Sequence, residues 1–483
     1  MTMNYPYEDF LDLFFSTKTN TPVTAASTSS CGYSLNDLDV DWGCDFRDVI
    51  ESIMGDEGVI METESAPMLH SQEGICNSAS TGLSVTDGVS VEEPKLDESK
   101  GFRLVHLLVA AAEASTGANK SPELTRVILA RLKDLVSPGD RTNMERLVAH
   151  FTNGLSKLLE RDNVLRPNNH CNDVYDQADV ISAFQMLQNM SPYVNFGYLT
   201  TTQAILESVK YERRIHIVDY DIAEGIQWPS LMQALLSRNT GTSAQHLRIT
   251  ALSRATNGKK SVAAVQEAGR RLTAFAESIG QPFSFHHCKL DNDAFNTSSL
   301  KLVRGEAVVI NCMLHLPRFS HKTPNSVISF LLEAKTLNPK LVTLVHEEVG
   351  LMGNQCFLYR FMDLLHQFSA IFDSLEASLS ITNPVRGFVD RVFIGPWVAN
   401  WLTRITADDS EVESFASWPQ WLETNGFEAM EVSFANRCQA KLLLSLFNDG
   451  YSVEELGQNG LVLGWKSRRL VSASFWASHE SNL

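Results

Sequence analysis

Residues 215–235 read IHIVDYDIAEGIQWPSLMQAL, and no other stretch restricts the fold as much. A β-branched run ends in two carboxylates, Asp219 and Asp221, passes a single glycine, Gly225, and enters an amphipathic segment with Pro229 in its first turn. The pattern predicts the strand, turn and helix that open a doubly wound α/β sheet. In such sheets ligands sit outside the carboxyl ends of the strands. Asp219, Asp221, Gly225, Gln227 and Trp228 are therefore the candidate pocket residues.

The alternation continues downstream. HLRITAL (246–252) reads as a strand and SVAAVQEAGRRLTAFAESIG as a helix with Gly280 as its cap; FSFHH, EAVVINCML and KLVTLVHEEV supply three more strands. A TPNSVISFLLEAK helix separates the last two. YSVEEL, LVLGWK and LVSASFWA, joined by QNG and SRR turns, suggest an antiparallel close at the edge. The expected fold class is thus α/β, a methyltransferase-like (Rossmann-type), mostly parallel sheet with an antiparallel edge.

Two helical regions surround it. From 101 to 211 the 3.6-residue period dominates, with Leu104, Leu107, Leu108 and Ala111 on one face of the first helix. A second helix opens with Ser121 as cap and Pro122 behind it. A further helical insertion is expected from about 355 to 421, inside an α/β core spanning 212–483. Both are expected to cap the carboxyl end of the sheet.

The net charge of -17 at first disfavours nucleic acid. Yet residues 1–100 hold 19 of the 57 acidic and 4 of the 40 basic residues, so -15 sits there and -2 on the remainder. Global charge does not exclude a local basic surface. The first hundred residues, rich in Ser, Thr, Gly and acids, bury too little apolar surface to offset ordering entropy and are expected to be disordered. Two islands, YEDFLDLFF (7–15) and LNDLDVDWGCDFRDVIESIM (35–54), interleave acids with apolar side chains. That is the composition of activation-type segments that fold onto a partner's groove, which makes Phe10, Phe14, Phe15 and Trp42 partner-binding candidates. A solvated tail with incidental apolar residues is the plainer alternative.

Catalytic signatures are sparse. The DYDIAEG loop offers one glycine where a dinucleotide or S-adenosylmethionine site asks for several, and the second strand ends Ala251-Leu252-Ser253-Arg254 with no acid for ribose hydroxyls. Asp219 and Asp221 are expected to accept from loop or helix amides instead. GxSxG, GxxxxGK[ST] and HExxH are absent from the sequence, and the eight cysteines show no paired spacing. His286, His287 and Cys288 are adjacent, so neighbours point to opposite faces of a strand. No run reaches the roughly 18 apolar residues of a membrane span, and the chain is read as soluble and intracellular. Basic pairs at Arg213-Arg214, Lys259-Lys260, Arg270-Arg271 and Arg468-Arg469 could bind phosphates if one face gathered them.

These motifs in this order resemble the plant GRAS family, from about residue 101 to the end. LVHLLVAAAEA is similar to the start of its first leucine-rich region, and IHIVDYDIAEGIQWPSLMQAL to its VHIID block. FVDRVFIG is similar to the segment joining its PFYRE and SAW regions, and CQAKLLLSLF with LVLGWKSRRLVSASFWA to the SAW region, including Trp465 and Trp476. RFMDLLHQFSAIFDSLEA matches PFYRE by position and pattern only. FSFHHCKLD, MSPYVNFGYLT and NMERLVAHF look most like the nodulation signalling pathway two branch. The resemblance implies a methyltransferase-like core under a helical cap and a nuclear transcriptional regulator, with no catalytic residue and no cofactor. It also implies symbiotic signalling in nodulation and mycorrhiza, control of strigolactone biosynthesis genes, and pairing with a second GRAS protein on promoter DNA, a homodimer being a further possibility. Leu104, Leu107 and Leu108 match the region associated with heterodimerisation and become candidates for a partner face. The alternative is an S-adenosylmethionine-dependent methyltransferase or small-molecule receptor using the crevice near Asp219 and Gly225.

Overall fold

The computed structural model describes residues 96–478 apart from 117–119, 137–141, 164–176, 239–243, 255–257, 291–294, 316–323, 350–355, 380–382 and 407–416. Five helices come first: α1 (Leu96–Ser115), α2 (Pro122–Leu135), α3 (Asn143–Asn163), α4 (Gln177–Met190) and α5 (Tyr193–Ser208). Alternation follows through β1 (Arg214–Asp219), α6 (Gln227–Ser237), β2 (His246–Arg254), α7 (Gly258–Ile279) and β3 (Phe283–Leu290). A short 3-10 turn at Thr297–Leu300 leads to β4 (Ala307–Met313), α8 (Pro324–Lys335) and β5 (Leu341–Glu347). The insertion holds α9 (Phe357–Ser378), α10 (Pro384–Val389), a π-turn at Asp390–Ile394, α11 (Gly395–Thr406) and α12 (Trp418–Thr424). The end is β6 (Phe427–Ala429), α13 (Phe434–Leu444), β7 (Tyr451–Leu456), β8 (Gly460–Trp465) and β9 (Arg468–Ser478).

Sequence chemistry sets several of these starts. Ser121 accepts from the Leu124 amide while Pro122 fills the first turn of α2. β5 reads LVTLVHE with every residue buried, the continuous apolar run of a strand covered on both faces. Helix α1 begins at Leu96, one turn before the expected boundary at 101, and β6 has no counterpart in the sequence reading. Three residues are too few for a period-2 signal; β6 exists because Phe427 and Ala429 pair with Ser478 and Trp476 of β9.

The sheet runs β3-β2-β1-β4-β5-β9-β8-β7, with β6 beside β9. The first five strands are parallel and β9 is antiparallel to β5, with Val342 opposite Trp476 and Glu347 opposite Val471. This is the methyltransferase-like order with its antiparallel edge. Strand order reverses between β1 and β4, which places a switch-point crevice outside Asp219 and Asn311. One apolar layer joins the cap helices and α5 to α7 to one sheet face. The other packs Val218, Ile310 and Leu344 against Phe330 and Leu331 of α8, Trp418 and Leu422 of α12, and Trp476.

The cap is clamped onto itself. Arg146 of α3 pairs with Asp390 in the π-turn, and both are largely buried. A Cβ on Gly154 would lie 2.5 Å from Leu402 Cδ1, so glycine here lets α3 and α11 approach closely.

Candidate functional site

Asp219 ends β1 and the chain turns back through Ala223 at φ 52° and Gly225 at φ 73° before entering α6. A Cβ at Gly225 would lie 3.1 Å from Leu272 Cδ1 of α7. The glycine therefore answers to a left-handed turn packed on a helix, and the loop is pressed into the protein. Trp228, one residue into α6, is fully buried and donates its indole N–H to Asp219 Oδ2 at 3.0 Å. Asp219 Oδ1 accepts from the Asp221 amide at 3.2 Å and from Asn311 Nδ2 at 3.3 Å. The loop amide was expected from the sequence; the two side-chain donors were not.

The network extends across the crevice. Asn311 Nδ2 also reaches Gln227 Oε1 at 3.4 Å, Gln227 Nε2 donates to Thr201 Oγ1 of α5 at 2.8 Å, and Thr343 Oγ1 of β5 donates to Asn311 Oδ1 at 2.8 Å. Four of the five pocket candidates thus converge, but on one another: Asp219, Gln227 and Trp228 are buried and Asp221 is half-buried beside them. Burial first, then the neighbouring Asp221 charge, push the Asp219 carboxyl up to about 7, against the pull of its three donors.

A second buried carboxylate ends β5. Glu347 accepts from Trp397 Nε1 at 2.9 Å and from Trp401 Nε1, both from α11, while Arg404 stacks on the Trp401 ring 4.1 Å from its centroid. Burial raises Glu347 to about 7, opposed by Arg404 and the indole donors. Burial and the Glu347 charge together hold the Tyr193 hydroxyl well above its ordinary value. Glu347, Trp397, Trp401, Asn311, Thr201 and Thr343 escaped the sequence reading. The acid ending an otherwise apolar strand and the tryptophans four residues apart were the available signals. These groups can hold a proton and brace the cap on the sheet.

The other candidates are dispersed. Leu104, Leu107 and Leu108 are 1%, 1% and 0% exposed, which corrects their assignment to a partner face: they fill the helical core and have no surface to offer. Among the described residues of α1 and α2, Phe102, Leu124 and Val127 are the exposed large apolar ones. Arg213 and Arg214 are exposed at the amino end of β1, the end opposite the crevice. Arg271 is a correction too: it is 26% exposed and bonds both the carboxylate and the carbonyl of Glu224, tying the crevice loop to α7. Arg270 pairs one turn back with Glu267 on the surface. Lys259 and Lys260 lie in the first turn of α7, with side chains outside the described residues. Arg468 is engaged by Asp363 and Arg469 by Glu454. Of the described pairs, Arg271, Arg468 and Arg469 are thus engaged by carboxylates of the chain itself. His287 contacts Ser253, Cys288 contacts Ser299, and His286 is exposed, so the trio diverges. Trp465 and Trp476 are buried and donate to Asp373 and Ser474. Phe10, Phe14, Phe15 and Trp42 lie outside the described residues.

What the geometry defines is a methyltransferase-like α/β sheet under a helical cap, with its ligand end closed by its own carboxylates, indoles and amides. The chain belongs to the GRAS domain family, whose model matches residues 104–477. It is 86% identical over 482 residues to Scarecrow-like protein 26 of Arabidopsis thaliana, covering 99% of this chain and all of that one. It is 57% identical over 406 residues to Protein NODULATION SIGNALING PATHWAY 2 of Medicago truncatula, covering 80% and 78% of the two chains, which places it near that branch. Among solved structures, SCL7 in Oryza sativa superposes with a TM-score of 0.62 at 29% identity, over 77% of this chain and 99% of that one.

Proposed function

We propose that this chain is a non-enzymatic transcriptional regulator that acts in the nucleus by pairing with a second GRAS protein on promoter DNA. Its setting is symbiotic signalling in nodulation and mycorrhiza, with strigolactone biosynthesis genes among the targets. The observation that carries this reading is the state of the crevice. Where a methyltransferase presents backbone and acids to its cofactor, Asp219 and Glu347 accept from the chain's own Trp228, Asn311, Trp397 and Trp401. The likeness to NODULATION SIGNALING PATHWAY 2 supports the setting.

With Leu104, Leu107 and Leu108 in the core, the partner face on the leucine-rich helices falls to Phe102, Leu124 and Val127. The acids that engage Arg271, Arg468 and Arg469 favour a DNA contact borrowed from the partner. The test is promoter DNA binding by the full chain, alone and mixed with a second GRAS protein, across a salt series. Binding only in the mixture is expected. Tight, salt-sensitive binding by this chain alone, weakened by reversing Arg213 and Arg214 to Glu, would replace the borrowed contact with a direct one.

A further inference from the structure

Helix α13 carries an apolar stripe that no described residue covers. Phe434, Cys438 and Leu442 stand at four-residue steps and Leu446 continues the row past the helix end. Phe434, Leu442 and Leu446 are 78%, 68% and 63% exposed, and Cys438 is an exposed free thiol. The opposite side is committed: Asn436, Ala440 and Leu443 are buried, and Asn436 Nδ2 donates to the Thr200 carbonyl of α5 at 2.9 Å. The helix contains no acidic residue; Lys441 is exposed beside Leu442, whereas Arg437 is already engaged by Glu431 and Glu455. Contiguous exposed apolar residues of this size mark an interaction surface.

Size and charge select the occupant. An 11-residue helix is about 16 Å long, too short for its single row to bury the roughly 800 Å² per partner of a stable dimer. It suits a short amphipathic segment bearing acids. The chain carries one: Tyr7, Phe10, Leu11, Phe14 and Phe15 follow the i, i+3, i+4, i+7, i+8 pattern of a groove-binding helix, with Glu8, Asp9 and Asp12 between them. Residues 16–95 number 80, and at up to about 3.3 Å per residue a stretch of that length is long enough to bring the segment to α13.

We propose that residues 7–15 of this same chain dock on the α13 stripe. Docked, Phe10, Phe14 and Phe15 are withheld from other partners. The inference goes beyond the regulatory reading and stands or falls separately from it. Hydrogen exchange on the full chain tests it. With an effective concentration of about 1 mM and an affinity of about 0.1 mM, amides in residues 7–15 should exchange about tenfold more slowly than in the free peptide. Leu442→Glu should abolish that protection while leaving the melting temperature unchanged, because Leu442 lies outside the core. Phe10→Ala with Phe14→Ala should abolish it without touching the folded domain, and should free α13 to bind an added peptide of residues 7–15. Absence of protection, or protection unchanged in Leu442→Glu, overturns the proposal. Protection that grows with protein concentration would assign the stripe to a second copy and overturn it equally.

Discussion

Asp219→Asn separates a structural carboxyl from one reserved for a ligand. The ordinary carboxyl value is 3.8 and burial raises Asp219 to about 7. At ~1.4 kcal/mol per tenfold change in proton affinity, that displacement is worth about 4 kcal/mol. The folded state binds the proton more tightly than the unfolded state, so this stability is fully present below about pH 4 and is lost as pH rises through about 7. Of it, about 3 kcal/mol disappears between pH 5 and pH 8. Asparagine has no such titration, but it retains one acceptor oxygen for three donors, the Asp221 amide, Asn311 and Trp228. Leaving donors unmet costs about 1–3 kcal/mol. Asp219→Asn should therefore be less stable than wild type at pH 5 and approach or exceed it at pH 8. Urea unfolding followed by indole fluorescence from pH 5 to 8 reads the difference directly. Glu347 titrates in the same sense in both proteins, so only the difference between the two profiles isolates Asp219. Parallel profiles would refute the reasoning.

Further outcomes follow from packing. Leu108→Ala should lower stability by about 2–5 kcal/mol because Leu108 is fully buried. Val127→Asp should change it by less than about 0.5 kcal/mol while weakening association with a second GRAS protein, and denaturation together with pull-down separates the two effects. Gly225→Ala should cost about 1–3 kcal/mol, since its φ is +73° and Leu272 stands 3.1 Å from the new methyl group. A thermal melt checks it, and an unchanged melting temperature would mean the loop is less constrained than its packing implies.

The strand, turn and helix at 215–235 were legible because their signals are local: a β-branched run, one glycine, and a proline in the first helical turn. The antiparallel close was legible for the same reason. The site was half legible. Residue types at Asp219, Gln227 and Trp228 identified a crevice, yet whether Asp219 faces a ligand or Trp228 depends on how α6 settles on the sheet. Asn311, Thr343 and Glu347 arrive from strands far along the chain, and no window of sequence brings them to Asp219 or Trp397. Helical periodicity showed that Leu104, Leu107 and Leu108 share a face without saying what that face meets; packing against α2 and α3 decided it. Arg271 stood among the phosphate-binding candidates because its partner, Glu224, lies 47 residues earlier and no local window shows the pair.

Titration of the full chain with S-adenosylmethionine by calorimetry is the most direct test of the closed crevice. With Asp219 occupied by Trp228 and Asn311, the expected result is no heat of binding and no thermal shift. Binding at micromolar affinity, abolished by Asp219→Ala in a protein that still folds, would contradict it and return the crevice to an enzyme or a receptor.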